Sequence, residues 1–146
     1  MIRIPIKRLT ETAILPTRAH EYDAGFDLYV DIEFPITIRP HETMKIPTGV
    51  GIAVPPGWEA QIRTRSGMAA KHDLCLLNAP GTVDCGYIND VSLLVHNAGS
   101  TPYTINPGER LGQMVIKQIP QVELTEVEEL PQYGTRGMAG FGSTGR

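Results

Sequence analysis

The sequence predicts an all-β sandwich or barrel carrying one short helix. Turn signals recur about every ten residues, with no helical period between them. The segments between the turns alternate apolar and polar with a period of two. Of the 146 residues, 15 are Gly and 12 are Pro, and they are spread along the chain, leaving no long helix room to run.

Ile2 to Leu9 alternates enough to open the fold as a strand, and Phe26 to Val30 is a second, entered through Asp23-Ala-Gly25. Phe34 to Arg39 keeps a period of two around Pro35, which suits an edge position. Met44, Ile46, Val50, Ile52 and Val54 share one parity, with Pro47 and Gly49 breaking the run. Pro55-Pro-Gly57 is a turn. Trp58 to Thr64 sets Trp58, Ala60, Ile62 and Thr64 against Glu59, Gln61 and Arg63, the pattern of a half-buried strand. Ser66 to His72 reads as a turn or two of helix with Ser66 as its N-cap. Val91 to Val95 is apolar enough to be buried on both faces. Pro102 to Ile105 and the alternating Leu111 to Ile119 follow, and Val122 to Val127 is expected to close the core.

The net charge of −3 argues against a general nucleic-acid binder. No apolar run approaches membrane-spanning length and no signal-like N-terminus is present, so the cytoplasm is expected. Cys75 and Cys85 are expected as free buried thiols. The four His are scattered and form no zinc pattern.

The richest stretch is Asn78-Ala-Pro-Gly-Thr-Val-Asp84-Cys-Gly-Tyr87. Thr82-Val83 forms a short β segment bracketed by Gly81 and Gly86, where backbone can approach a ligand. Asp84 falls where the chain turns, and Tyr87 is near enough to wall the same pocket. Alone, the stretch also reads as an ordinary hairpin turn. Residues 131–146 have little to bury and hold five glycines between 134 and 145. They read either as a disordered tail or as a lid that orders on substrate.

Five segments line up in order: Ala24-Gly-Phe-Asp27-Leu28, Arg65-Ser-Gly67-Met-Ala69, Asn78 to Tyr87, Pro107-Gly-Glu-Arg110-Leu-Gly-Gln113, and Arg136-Gly-Met-Ala-Gly-Phe141-Gly142-Ser143-Thr144-Gly. Together they resemble the motifs of the trimeric deoxyuridine triphosphatases, over residues 24 to 145. The resemblance implies a β jelly roll over residues 1–130 and a flexible lid over 131–146. It implies a homotrimer with shared active sites, splitting dUTP into dUMP and pyrophosphate with Mg²⁺. That activity supplies dUMP for thymidylate synthesis and limits uracil incorporation into DNA.

Role by role, the resemblance makes Asp84 the general base for a water attacking the α-phosphorus. Gly81, Thr82 and Val83 offer backbone groups to the uracil edge, and Asn78 has the donor and acceptor to read O4 and N3–H. Tyr87 stacks under the deoxyribose and leaves no room for a 2′-hydroxyl. Arg65, Ser66 and Gly67 bind phosphate at a helix start, with Ser66 on the α–β bridging oxygen. Asp27 holds Mg²⁺ through water, so no stable metal site is expected without nucleotide. Gln113 orients phosphate or water, or makes a structural hydrogen bond. Phe141 stacks on uracil, Arg136 grips the γ-phosphate, and Gly142, Ser143 and Thr144 supply short donors.

Two departures stand after Tyr87. Ile88 occupies a position usually polar, and Asn89 stands where Gly is usual, which a left-handed Asn could replace. Gly112 also stands where Ala is common. Two competing readings carry different chemistry. A dCTP deaminase needs a Glu on the strand after the turn, and Val91-Ser-Leu-Leu-Val-His96 has none. A dUTPase-like regulatory protein would bind nucleotide without releasing pyrophosphate. No P-loop Lys or GxSxG nucleophile is present.

Overall fold

The computed structural model describes residues 2–135 and 137. The tail residues Arg136, Phe141, Gly142, Ser143 and Thr144 lie outside that set.

Among the described residues eleven strands and one helix follow in order: β1 (Ile6–Arg8), β2 (Gly25–Tyr29), β3 (Ile36–Ile38), β4 (Thr43–Ile46), β5 (Val50–Ile52), β6 (Trp58–Thr64), α1 (Ser66–His72), β7 (Leu74–Leu76), β8 (Gly81–Val83), β9 (Leu93–Asn97), β10 (Tyr103–Ile105) and β11 (Arg110–Gln118). The crossover-linked strands, antiparallel in every pairing among the described residues, make a jelly-roll-like all-β fold. The largest sheet runs β2-β11-β6-β8, a second runs β4-β9-β7, and β1-β5 and β10-β3 are two-stranded. Leu28, Ile38, Ile46, Ile52, Leu74, Leu93, Val95 and Ile105 fill the core. Alternation along each strand puts these side chains inward, and their burial is the main favourable term in folding.

The expected Met44 to Val54 run divides into β4 and β5 at Pro47 and Gly49, as its breakers require. Gly49 has φ +64° and would bring a Cβ within 2.4 Å of Asp31 Oδ2, so only glycine suits the turn. At position 111 the register between β11 and β2 slips by one residue, a bulge that keeps Leu111 buried.

Several expectations need correction. The strand after Tyr87 is β9, and it is not buried on both faces. Leu93, Val95 and Asn97 point inward while Leu94 and His96 are half-buried. Asn97 takes the last inward position because its amide is fully used. Nδ2 donates to Ile38 O at 3.1 Å and Thr101 O at 2.8 Å, and Oδ1 accepts the Gly99 N–H at 2.9 Å. Val122 to Val127 does not close the core. Val122 is 77% and Leu124 96% exposed, and no strand follows Gln118 among the described residues. Among the described residues this segment pairs with no strand of its own chain. The opening strand is shorter than expected, and β7 was missed because three residues carry too little periodicity. Cys75 and Cys85 are free, as expected, but half-buried and exposed rather than buried.

Near the β10–β11 turn the Tyr103 hydroxyl donates to Glu109, whose other oxygen accepts the Asn106 N–H at 2.9 Å. Burial first, then the hydrogen bond and charge of Glu109, push Tyr103 well above the ordinary phenol range.

Candidate active site

The predicted site residues form two groups. The first surrounds β8, an edge strand that among the described residues pairs only with β6, Gly81 opposite Ile62 and Val83 opposite Ala60. An edge strand keeps a row of backbone N–H and C=O groups with no ladder partner, the groups needed to read a planar base. Val83 is buried and pins the strand, while Thr82 faces outward. The preceding Asn78 folds back onto it. An added Cβ on Gly81 would sit 2.9 Å from Asn78 Nδ2, so the glycine lets the amide lie against the strand. The Ala79–Pro80 peptide between them is cis.

Past Val83 the chain turns through Gly86 at φ +91°, a left-handed conformation that favours glycine. The turn is closed by the Tyr87 N–H donating to Asp84 O at 3.2 Å. Asp84, Tyr87, Thr82 and Val83 then line a cavity of about 250 Å³ with Asp90 and Ser92. The Asp84 carboxylate is exposed and has no side-chain hydrogen bond among the described residues. It is open to solvent. Tyr87 is 44% exposed, with its hydroxyl donating to Asp90 O at 2.7 Å. Asn89 does not adopt the left-handed conformation expected for a glycine substitute; its Oδ1 accepts the Asp90 N–H at 2.8 Å, a local Asx bond that shapes the turn.

The second group sits on β2, β11 and the start of α1. Asp27 is opposite Gln113, which is opposite Arg63. Asp27 Oδ1 accepts Arg65 Nε at 2.8 Å and Oδ2 accepts Arg110 Nη1 at 3.0 Å. Arg65 Nη1 also donates to Arg110 O at 2.9 Å. The trio carries a net charge of +1, suited to an anion. Gln113 Nε2 donates to Thr64 O at 3.1 Å, tying β11 to the residue before Arg65. Its Oε1 lies against Gly25, where a Cβ would come within 2.4 Å. Beside it Asp23, Gly25, Asp27 and Gln113 line a cavity of about 330 Å³. Arg110 belongs to this group and was not singled out beforehand, although it stood in the quoted Pro107 to Gln113 segment.

Ser66 is not the N-cap of α1. Arg65 holds that position, with φ −76° and ψ 131° and no side-chain cap hydrogen bond. Its extended backbone continues β6 and is the ordinary conformation of an N-cap residue. Ser66 and Gly67 are the first helical residues, both exposed. Their N–H groups therefore lack the partner that a capping oxygen would supply.

The two groups do not meet within one chain. Asp84 lies one residue beyond Val83, level with Glu59 on β6, and Arg65 follows Thr64 at the other end. Six residues of strand separate those levels, about 20 Å. β8 and β2 also form opposite edges of the sheet.

The jelly-roll-like fold thus sets an edge strand with open backbone groups beside an exposed carboxylate, and a separate cationic cluster suited to an anion. The dUTPase family model matches residues 11–145. The chain belongs to the dUTPase family. It is 46% identical over 146 residues to the deoxyuridine 5′-triphosphate nucleotidohydrolase of Caldanaerobacter subterraneus, covering 99% of this chain and 98% of that protein. Its fold is similar to that of the Staphylococcus bacteriophage 80alpha dUTPase with dUPNHPP, with a TM-score of 0.91, 28% identity and full coverage of both chains. A mutant dUTPase from phage phi11 of S. aureus, described with a structural Mg(II) ion, matches with a TM-score of 0.81 and 26% identity over 90% of this chain and all of that one.

Proposed function

We propose that this protein hydrolyses dUTP to dUMP and pyrophosphate at sites shared between the subunits of a homotrimer. The free Asp84 carboxylate in the cavity beside the open edge of β8 is the observation that carries the reading. Uracil lies along Gly81, Thr82 and Val83, with Asn78 completing its polar edge. Cytosine presents a donor where uracil has an acceptor, so the same edge disfavours it. The sugar rests on Tyr87.

Asp84 takes a proton from a water as its oxygen attacks the α-phosphorus in line with the α–β bridging oxygen. The bond to that bridging oxygen breaks, pyrophosphate leaves, and Asp84 returns the proton to solvent. Arg65, Ser66, Gly67 and Gln113 of another subunit hold the phosphates, with Arg110 beside them. The strand register supports this sharing, because one chain keeps Asp84 and Arg65 at opposite ends of its sheet. Residues 131–146 act as the lid, with Phe141 on the base, Arg136 on the γ-phosphate and Gly142, Ser143 and Thr144 as donors.

Mg²⁺ fits this donor set only as an ion carried by the phosphates. No cluster of three or more His, Cys, Asp or Glu could hold a metal among the described residues, and each Asp27 oxygen already accepts a guanidinium. A remaining lone pair of Asp27 can still accept a metal-bound water. When bound, Mg²⁺ offsets the triphosphate charge and orders its oxygens. The cytoplasm suits two free thiols, and no helix among the described residues is long and apolar enough to cross a membrane.

Hydrolysis in ¹⁸O-labelled water with Mg²⁺ tests the reaction. The label is expected in dUMP, with dUTP far preferred over dCTP, UTP and dTTP. Label in pyrophosphate would contradict attack at the α-phosphorus. Ammonia from dCTP would indicate deamination, and dUTP binding without turnover a regulatory protein.

A further inference from the structure

The cavity beside Asp84 contains a second carboxylate that the proposed chemistry does not use. Asp90 Oδ1 accepts the Thr48 N–H at 3.1 Å and the Thr48 hydroxyl at 3.4 Å. Its Oδ2 accepts the Ser92 hydroxyl. Thr48 is fully buried, and its single hydroxyl proton is shared between Asp90 Oδ1 and the nearer Val91 O at 3.0 Å. The neighbouring Val91 N–H donates to Val50 O at 2.9 Å, and Asp90 bridges Gly51 on β5. These bonds fasten Asp90 to the core through both backbone and side chain. Both of its oxygens are engaged, whereas the Asp84 carboxylate is open.

The backbone carbonyl of this anchored residue accepts the Tyr87 hydroxyl at 2.7 Å. Tyr87 is thus held at both ends, its N–H on Asp84 O and its hydroxyl on Asp90 O. An exposed aromatic ring ordinarily samples several rotamers, and this one is tethered across its own loop.

We infer that Asp90 is a positioning residue for sugar discrimination: by bonding Thr48 and Ser92 it fixes the carbonyl that holds the Tyr87 ring against the sugar. The inference rests on Tyr87 being the sugar wall of the site proposed above. Loss of the anchor lets the ring swing, and the space denied to a 2′-hydroxyl opens. The effect falls on the choice between dUTP and UTP rather than on proton transfer at Asp84.

The test compares kcat/KM for dUTP and UTP, with Mg²⁺, in the wild type and in Asp90→Ala, Asp90→Asn, Ser92→Ala, Tyr87→Phe and the Asp90→Ala/Tyr87→Phe double variant. Asp90→Ala is expected to lower the dUTP-over-UTP ratio about tenfold, the scale of a small misplacement at a reacting substrate. Asp90→Asn is expected to keep the ratio within about twofold, since its amide can accept from Thr48 and donate to the Ser92 hydroxyl. Tyr87→Phe lacks the tether, so adding Asp90→Ala to it should change the ratio little further. Equal losses on both substrates, or an Asp90→Ala effect undiminished in the Tyr87→Phe background, would overturn the inference. Where Asp90→Ala does not fold, Ser92→Ala carries the test. A fall of about threefold in the ratio is expected from losing one anchoring bond, and an unchanged ratio overturns the inference. A wild type that does not turn over dUTP removes the functional reading itself, and the inference with it.

Discussion

Gly81→Ala should separate base recognition from folding. Position 81 has no unusual backbone angle, so the substitution is decided by space alone. The new Cβ would lie 2.9 Å from Asn78 Nδ2, 3.5 Å from Asn78 Cγ and 3.6 Å from Ile62 Cβ. The last two are ordinary contacts; the first is short by about half an ångström. Asn78 is exposed, so its amide can swing away at little cost. Replacing Gly in a strand interior itself favours folding by about 0.5–1 kcal/mol. The net change in stability should therefore stay within about 1 kcal/mol, a few degrees in Tm. Recognition suffers more. A displaced amide loses a hydrogen bond to uracil worth about 1–2 kcal/mol, or about 5- to 30-fold in kcat/KM for dUTP. Asn78→Ala should lose a similar amount, and the double variant should not lose the sum. Steady-state kinetics with a thermal melt provides the assay. A folded Gly81→Ala variant with unchanged kcat/KM would refute the idea that Asn78 and β8 read the same base.

Asp27→Asn removes a charge that holds two guanidinium groups at 2.8 and 3.0 Å, so denaturant melts should show a loss of about 1–3 kcal/mol. The same variant should need more Mg²⁺ for half-maximal rate, and an unchanged Mg²⁺ titration would count against the water-mediated role. Removal of residues 131–146 should shift Tm by less than about 2 °C, because 131–135 are exposed and bury nothing. It should lower kcat/KM at least about a hundredfold if the segment is the lid; full activity in the truncated chain would exclude it. Tyr103 binds its proton more tightly in the folded state than at its ordinary value of 10.0. Its contribution is complete below pH 10.0 and is lost as pH rises beyond that value. The wild type should therefore lose stability more steeply above that pH than Tyr103→Phe, and parallel melts of the two would contradict the assignment.

Much of this architecture was legible in the sequence, for reasons that differ by element. Trp58 to Thr64 emerges as β6 with the bounds its alternation implies, because one of its faces meets the core. The Thr82-Val83 segment is likewise a strand, bracketed by its glycines. Val122 to Val127 misled because apolar periodicity reports a face that prefers burial, not the chain that buries it. The N-cap of α1 was misassigned because local propensity favours Ser, whereas Arg65, whose extended backbone continues β6, takes that position. The anchoring of Asp90 to Thr48 was invisible because the two are 42 positions apart. The resemblance already implied sites shared between subunits, and the strand register adds that one chain holds Asp84 and Arg65 at opposite ends of a sheet.

That separation makes subunit mixing the most direct test of the account. Asp84→Asn and Arg65→Ala would be purified separately, each expected to be nearly inactive on dUTP, then unfolded together and refolded as an equal mixture. If Asp84 of one chain works on phosphates held by another, about a quarter of the sites combine an intact Asp84 with an intact Arg65. Pyrophosphate release should then recover to about a quarter of the wild-type rate carried through the same refolding. A mixture as inactive as its parents, with wild type refolding normally, would mean that each chain builds its own site and would contradict the account.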